Sequence, residues 1–163
     1  MIGKVIKYSL KNINTDLIIP ARYLVNSDPD FLAQHCMEDL DRDFVEKVKK
    51  KNYQILVADS NFGCGSSREQ APSAIKASGI KCIIAPSFAR IFFRNAINIG
   101  LPIIEFSDIG KLKTDDNLNI QFEEGLIKNT STAEEFQIIK QPSFLQQIIL
   151  AGGLINFARK QIE

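Results

Sequence analysis

Residues 53–69 read Tyr53-Gln54-Ile55-Leu56-Val57-Ala58-Asp59-Ser60-Asn61-Phe62-Gly63-Cys64-Gly65-Ser66-Ser67-Arg68-Glu69, an apolar run followed by a glycine-rich polar segment. The apolar run has the length of a buried strand, and the apolar spacing over 70–77 predicts a helix. Two glycines, two serine hydroxyls and an arginine separate the two elements. Backbone N–H groups at a helix start, hydroxyls and a guanidinium can together bind an anion, so this segment predicts a binding site.

The same segment also has a purely structural interpretation. Its Gly-x-Gly pattern lacks the third glycine of a dinucleotide-binding fingerprint and the lysine of a phosphate-binding P-loop. A glycine turn followed by Ser66 or Ser67 as a helix N-cap, with Glu69 near capping-box distance, explains the residues equally well. The choice between a site and a simple turn therefore depends on other segments.

Composition limits the class of protein. A chain of 163 residues with 45% hydrophobic content predicts a single domain, residues 1–163, with an ample core. The 20 basic and 19 acidic residues nearly cancel, so the charge pattern expected for nucleic-acid or anionic-membrane binding is absent from the sequence. No apolar run approaches the ~20 residues of a membrane span, and residues 1–4 begin no signal-peptide pattern. We expect a cytoplasmic protein.

The three cysteines suggest neither a disulfide framework nor a zinc site, because their number is odd and no Cys-x-x-Cys pair occurs. Cys82 lies in an apolar run and is expected to be a buried strand residue. Cys36 follows His35 in a helical stretch, where adjacent side chains point to different sides. A metal needs three or four converging ligands, and the chain has one histidine. We predict no metal site in this chain.

Hydrophobic periodicity predicts an α/β fold with a mixed sheet. A parallel strand pair with a right-handed crossover is expected around the helix over 70–77, whereas the alternation over 118–139 is typical of antiparallel strands. The predicted strands cover 4–8, 53–58, 80–85, 101–106, 118–122, 126–127 and 136–139. The predicted helices cover 31–40, 41–51, 70–77, 86–100 and 142–159, the last interrupted at Gly152-Gly153.

Two further groups of charged residues allow two interpretations each. Asp16 lies in the turn-forming cluster 12–16, where it is either a cap residue or a carboxylate of a site. Arg90 and Arg94 share one face of the predicted helix over 86–100. That face is either solvated or involved in an interface, and the apolar neighbours favour a buried or interface role for at least one guanidinium.

Three segments, taken in order, carry a resemblance to a known family. They are Asn14-Thr15-Asp16-Leu17-Ile18-Ile19-Pro20, Gly63-Cys64-Gly65-Ser66-Ser67-Arg68-Glu69 and Pro86-Ser87-Phe88-Ala89-Arg90-Ile91-Phe92. The chain closely resembles the small subunits of 3-isopropylmalate dehydratases over essentially its whole length. Those subunits correspond to the swivel domain of the aconitase superfamily, so the resemblance implies a swivelling β/β/α three-layer domain with a mixed sheet.

The resemblance also implies an activity and a partner. It implies a hydro-lyase that interconverts 2-isopropylmalate and 3-isopropylmalate through 2-isopropylmaleate in leucine biosynthesis. A separate large subunit would carry a four-iron four-sulfur cluster, and this chain would bind no cofactor and be inactive alone. Cys64 would not be a cluster ligand. A heterodimer, or a dimer of heterodimers, is the expected assembly.

Site residues follow from the same resemblance. It implies that Ser66 is the base, that Ser67 and Arg68 hold a substrate carboxylate, and that Asp16 is an active-site carboxylate. Arg90 matches only a motif position and is expected to be structural or to act through neighbouring residues. A serine hydroxyl removes a proton beside a carboxylate only if it is held as, or near, an alkoxide, which nearby backbone N–H groups would stabilise.

The segment Tyr23-Leu24-Val25-Asn26 matches the loop that in relatives reads the variable part of the substrate. Homoaconitase-like relatives place an arginine at the position of Val25. An apolar side chain packs on an isopropyl group, whereas a stranded carboxylate would cost several kcal/mol. Arg22 would supply a guanidinium if the loop were threaded differently. We expect residues 23–29 to be mobile in the isolated chain, because the surface that they pack on is absent.

Two other classes of function remain open from the sequence. One is a different hydro-lyase of the superfamily, either a homoaconitase, which Val25 argues against, or a methyl-substituted malate hydro-lyase. The other is a non-enzymatic binding module, regulatory or RNA-binding. Near-neutral charge and the intact Ser-Ser-Arg segment argue against the binding module.

Overall fold

The computed structural model of the chain describes residues 1–162 as one seven-stranded sheet with helices packed on it. The strands are β1 (Ile2–Tyr8), β2 (Tyr53–Ala58), β3 (Cys82–Ala85), β4 (Ile103–Glu105), β5 (Asn117–Gln121), β6 (Leu126–Asn129) and β7 (Glu134–Gln137). The helices are α1 (Thr15–Ile18), α2 (Pro29–Gln34), α3 (Phe44–Lys51), α4 (Gln70–Ala77), α5 (Arg90–Asn98), α6 (Ser143–Leu150) and α7 (Leu154–Ile162). No helix among these residues is long and apolar enough to cross a membrane.

The strand order is β4-β3-β2-β1-β5-β6-β7. Strands β1 to β4 are parallel, and β5 to β7 are antiparallel to their neighbours, with β1 as the strand shared by both halves. The predicted α/β class, the mixed sheet and the parallel pair on either side of α4 are all confirmed. Cys82 is buried in β3, as predicted.

Two apolar clusters occupy opposite faces of the parallel half, because side chains alternate along each strand. Ile6 and Leu56 pack under the helices. Val5 and Ile55 instead pack against β5, β6 and β7, which curl over the other face. The layers are therefore antiparallel sheet, parallel sheet and helices, which confirms the β/β/α arrangement.

The carboxyl ends of β1, β2 and β3 lie side by side at one edge of the sheet, since these strands are parallel neighbours. Backbone hydrogen bonds join the three segments that leave this edge. Gly63 N donates to Ile13 O at 2.8 Å, and Phe62 N donates to Ser87 O at 3.1 Å. Ligands of open α/β sheets bind at such an edge, and all three motifs of the resemblance meet there.

Helix α4 spans Gln70–Ala77 as predicted, but its proposed N-caps and the start of α5 differ from the prediction. The proposed N-caps Ser66 and Ser67 are wrong, because α4 begins only at Gln70 and Glu69 precedes it without a side-chain capping bond. Helix α5 begins at Arg90 instead of residue 86, because residues 87–89 are held extended against the segment after β2. At α5, contacts with the segment after β2 replace the predicted first helical turn.

The helix predicted over 31–40 is also shorter. Asp28 caps α2 by accepting a hydrogen bond from Phe31 N at 2.9 Å, and α2 ends at Gln34. Met37 then takes a left-handed conformation (φ 60°), and its buried backbone N–H donates to Ile18 O at 2.8 Å. This tertiary bond turns the chain away from a helical path.

Candidate active site

The glycine turn after β2 builds the floor of the candidate site. Gly63 is buried and has φ +77°, and a Cβ at this position would overlap the ring of Phe92. Only glycine combines this conformation with so close an approach. Gly65, with φ +97°, is exposed and leads directly into the two serines. The turn therefore presents the residues that follow it at the surface.

Ser66 and Ser67 are both exposed, and within residues 1–162 neither hydroxyl makes a hydrogen bond. Because neither caps α4, both hydroxyls stay available to a ligand. The structural interpretation of the segment as a helix start is thereby excluded for the serines. An unengaged hydroxyl beside a glycine turn suits a group that binds or accepts a proton from a ligand.

Arg68 joins two of the motifs. Its Nη1 donates to Asp16 Oδ1 at 2.6 Å and to Ile19 O at 3.3 Å. The arginine side chain is 14% exposed, whereas that of Asp16 is 58% exposed. The guanidinium is therefore largely buried, and the carboxylate faces solvent. Nη2 and Nε make no hydrogen bond among the described residues. The pair thus leaves one edge of the guanidinium for a second carboxylate.

Asp16 is not the cap of α1. The N-cap is Asn14, whose Oδ1 accepts from Leu17 N at 2.9 Å. Asp16 lies in the first turn and pairs with Arg68, so its interpretation as a cap is wrong, and its role as a carboxylate of the site stays a prediction. Its contact is with the predicted substrate-binding arginine and not with Ser66 or Ser67.

Thr15 packs against the glycine turn, a contact that the sequence did not reveal. Its backbone N–H donates to Cys64 O at 2.8 Å, and Thr15 is 1% exposed. Its Oγ1 is buried without a hydrogen-bond partner and lies 3.3 Å from where a Cβ on Gly65 would stand. The sequence feature that could have pointed to Thr15 is its position between Asn14 and Asp16. That cluster was interpreted as a turn.

The loop that begins at Tyr23 is held at its base and open at its tip. The hydroxyl of Tyr23 donates to Glu38 Oε1 at 2.7 Å, and Leu24 packs on the helix-side core. Val25 is 91% exposed. Among residues 1–162, no hydrogen bond or ion pair joins these three residues to the serines or to Arg68. The loop and the glycine turn are thus separate parts of the candidate site.

Arg22 does not reach the tip of this loop. Its guanidinium donates to both carboxylate oxygens of Asp39, at 2.9 and 2.6 Å, and to Glu38 Oε1 at 2.9 Å. The hydrogen bond from Arg22 holds the pKa of Asp39 below its usual range. The alternative in which Arg22 supplies the guanidinium next to Val25 therefore conflicts with this structure.

Arg90 and Arg94 are both exposed on α5, and neither forms an ion pair with a described residue. Burial of one of them inside the chain is therefore wrong. Helix α5 starts at the edge that carries the glycine turn, since Ala89 N donates to Phe62 O at 2.9 Å. A role of either arginine in an interface stays a prediction.

The cysteines do not form a common ligand set. Cys36 is buried in the helix-side cluster and Cys82 in the opposite cluster, and burial raises the pKa of both thiols. Cys64 is half-buried in the glycine turn. Among residues 1–162, no group of three or more His, Cys, Asp or Glu side chains is placed to hold a metal ion.

Comparisons with known proteins agree on one family. The model of the aconitase C-terminal domain matches residues 4–109. The chain is 56% identical to a 3-isopropylmalate dehydratase small subunit from Ruminiclostridium cellulolyticum, over 98% of this chain and 97% of that one. It is 53% identical to a 2,3-dimethylmalate dehydratase small subunit from Eubacterium barkeri, over 95% and 94%. A crystal structure of 3-isopropylmalate dehydratase from Methanocaldococcus jannaschii superposes with a TM-score of 0.90 at 43% identity, covering 99% and 95%.

Proposed function

The chain belongs to the 3-isopropylmalate dehydratase small subunits within the aconitase C-terminal domain family, and we propose that it supplies their Ser-Ser-Arg substrate site. The reaction is a hydro-lyase isomerisation of 2-isopropylmalate and 3-isopropylmalate through 2-isopropylmaleate, a step of leucine biosynthesis. The observation that carries the proposal is the convergence of Asp16, Arg68 and the two free serine hydroxyls at one edge of the sheet. Residues 1–163 act as one swivel domain in this scheme.

Ser66 is the proposed base. Its oxygen takes the proton from the carbon next to a substrate carboxylate. The electron pair of that C–H bond forms the alkene as the bond from the neighbouring carbon to its hydroxyl breaks, and the hydroxyl leaves with its electron pair as hydroxide. Return of proton and hydroxide with their positions exchanged gives the isomer. The hydroxyl needs a lowered proton affinity for this step, and backbone N–H groups of the glycine turn are suited to stabilise the alkoxide.

Arg68 is the proposed carboxylate anchor, and Ser67 adds a hydroxyl donor beside it. A guanidinium binds a carboxylate through two parallel hydrogen bonds, which fixes the substrate in orientation as well as position. Asp16 was predicted as a catalytic carboxylate, and its 2.6 Å contact with Arg68 supports a role in holding that guanidinium.

A large subunit is the proposed partner, because the relatives are named small subunits. The four-iron four-sulfur cluster implied by the resemblance would belong to that subunit, where it would act as a Lewis acid toward the departing hydroxyl. The separated cysteines of this chain do not fit such a cluster, so its own residues only bind substrate and move the proton. We place the assembly in the cytoplasm.

The isopropyl substrate is favoured by the loop, in which Tyr23, Leu24 and Val25 are the proposed contacts. Val25 offers an apolar tip and Arg22 is engaged elsewhere, so a homoaconitase, whose substrate carries a further carboxylate, is disfavoured. A methyl-substituted malate hydro-lyase is the second candidate, since one relative at 53% identity is named 2,3-dimethylmalate dehydratase small subunit. Both candidates use the same base and the same anchor.

The test is an anaerobic hydration assay on 2-isopropylmaleate, dimethylmaleate and homoaconitate with this chain, the large subunit from the same genome, and the mixture. We expect activity only in the mixture. Ser66→Ala should lower kcat by ~10²- to 10⁴-fold, the usual contribution of a positioned base. Because Ser66 is exposed, this substitution should change the free energy of unfolding by less than about 0.5 kcal/mol.

Each of the other outcomes would contradict a different part of the proposal. Activity confined to dimethylmaleate would favour the second candidate, and activity on homoaconitate would overturn the interpretation of Val25. Full activity of Ser66→Ala would remove the base assignment. No activity of the mixture on any malate-type substrate would favour the binding-module class.

A further inference from the structure

Glu38 lies outside the three motifs, in the turn after α2, and gathers hydrogen bonds from three side chains. Its Oε1 accepts from the hydroxyl of Tyr23 at 2.7 Å and from Arg22 Nη2 at 2.9 Å. Its Oε2 lies 2.7 Å from His35 Nδ1. A carboxylate only accepts hydrogen bonds, so His35 donates through Nδ1. One side chain, 29% exposed, thereby holds Tyr23, the first residue of the loop 23–29, and Arg22, which precedes it.

Aromatic packing reinforces the bond to Tyr23. The Tyr23 ring stacks on His35, with centroids 3.7 Å apart and an interplanar angle of 9°. Phe31 packs edge-on against both rings, at 6.1 and 5.0 Å. Tyr23 therefore has one orientation, set by its hydroxyl at one end and by ring contacts along its length.

The tip of the loop has little else to fix it. Leu24 N donates to Ala21 O at 3.1 Å and Asn26 N to Tyr23 O at 3.4 Å, and both bonds are local. Val25 is 91% exposed and stands two residues from Tyr23. The position of Val25 thus depends on where Tyr23 is held and on the packing of Leu24 against the helix-side core.

We propose that Glu38 is a specificity-determining positioning residue, which holds Tyr23 so that Val25 is presented to the alkyl group of the substrate. Glu38 acts through Tyr23 and does not touch the reacting atoms. The inference rests on the proposed function, because it assigns the cause of the alkyl selectivity of that same site. If Glu38 holds Tyr23, the mobility expected for residues 23–29 applies to the tip of the loop around Val25 and not to Tyr23.

Asp39 provides a matched control. It is the next carboxylate along the chain, and it binds the guanidinium of Arg22 but neither Tyr23 nor His35. Asp39→Ala therefore removes a neighbouring charge of the same sign while leaving the Tyr23 contact intact. Tyr23→Phe removes only the hydroxyl and keeps the ring stack, so it isolates the Tyr23–Glu38 bond and serves if Glu38→Ala fails to fold.

The first experiment measures kcat and KM of the reconstituted enzyme for 3-isopropylmalate and 2,3-dimethylmalate. Glu38→Ala should raise KM for the isopropyl substrate about tenfold, the factor expected from one lost hydrogen bond to a charged group, with kcat changed less than about twofold. KM for the dimethyl substrate should change little, so the selectivity ratio falls. Asp39→Ala should leave that ratio unchanged, and Tyr23→Phe should lower it.

Equal losses for both substrates would overturn the proposal, because a merely structural residue affects both alike. So would a fall in the ratio with Asp39→Ala as large as that with Glu38→Ala.

The second experiment uses hydrogen exchange in the small subunit alone and is independent of activity. Glu38→Ala should speed exchange of the Leu24 and Asn26 amides about tenfold, with the α4 amides unchanged. Unchanged exchange at both loop amides would overturn the proposal even if the enzyme is active. If the wild-type mixture is inactive on both substrates while exchange responds as expected, the proposed function fails and the positioning of the loop by Glu38 stands.

Discussion

At the scale of single residues, the buried environment of Thr15 is unfavourable for its hydroxyl group. A buried hydroxyl without a hydrogen-bond partner costs about 1–3 kcal/mol, and Oγ1 of Thr15 is in that situation beside Gly65. Sequence patterns identified Ser66, Ser67 and Arg68 because residue type and spacing suffice for a motif. These patterns gave no role to Thr15, because its contact is with Gly65, fifty residues further along the chain.

Thr15→Val removes this hydroxyl at nearly constant volume. We expect the free energy of unfolding of the isolated chain to rise by about 1 kcal/mol, since no hydrogen bond is lost and a desolvation penalty disappears. Urea unfolding at neutral pH measures the change. Thr114→Val is the control of opposite sign, because Thr114 Oγ1 accepts from Lys7 N at 3.1 Å. A loss of stability in Thr15→Val would contradict the conclusion that Thr15 Oγ1 has no hydrogen-bond partner.

At the scale of elements, helix existence followed from the sequence more reliably than helix ends. The apolar spacing of α4 and α5 predicted both helices, and α4 spans 70–77 as predicted, whereas α5 begins at Arg90, four residues after the predicted start at 86. Backbone hydrogen bonds from Phe62 N to Ser87 O and from Ala89 N to Phe62 O hold the segment before α5 extended. Capping rules describe only neighbours in the chain, so they do not register such a competing partner.

The turn that carries Glu38 should respond to pH. The hydrogen bond from His35, and then that from Tyr23, lower the pKa of the Glu38 carboxyl below its ordinary value. A lowered pKa in the folded state contributes stability that is complete above the unfolded pKa of about 4.3 and is lost as pH falls through the folded pKa.

Glu38→Gln tests this sign. The wild type should be more stable than the variant at pH 6, and the difference should shrink as pH falls below about 4.3. Urea unfolding between pH 2.5 and 7 measures it. The exposed Glu123, whose side chain bonds no residue within 1–162, provides the control Glu123→Gln. A difference that grows toward low pH would refute the assignment of the shift to these hydrogen bonds.

At the scale of the whole molecule, the sheet order is what creates the candidate site. Motifs at 14–20, 63–69 and 86–92 follow β1, β2 and β3, and these are adjacent parallel strands. Their carboxyl ends meet at one edge, where Asp16 contacts Arg68 across 52 positions of sequence. The exposed serines and Val25 then lie on surfaces without cover from the described chain, as expected of a subunit that completes its site with a partner.

Binding of the large subunit should protect this edge. We expect amide exchange in residues 64–68 and 24–26 to slow at least about tenfold when the large subunit is added, because burial removes solvent from both. Amides of β6 and β7 should be unaffected. Mass-spectrometric hydrogen exchange on the mixture and the free chain measures the change. Protection confined to β6 and β7 would show that the partner binds away from residues 64–68 and 24–26 and would contradict the prediction.

Residue type and local spacing determined the elements, the glycine turn with its serines and arginine, and the family resemblance, because these depend on interactions within a few positions of the chain. The sequence alone allowed two interpretations each for Asp16 and Arg22. The tertiary structure makes Asn14 the cap and pairs Asp16 with Arg68 and Arg22 with Asp39, while a role of Asp16 at the site stays a prediction. It also decided the unpartnered state of Thr15 and the contact of Tyr23 with Glu38. Such contacts depend on which strands become neighbours, and strand order is set by packing the whole chain, which no local pattern encodes.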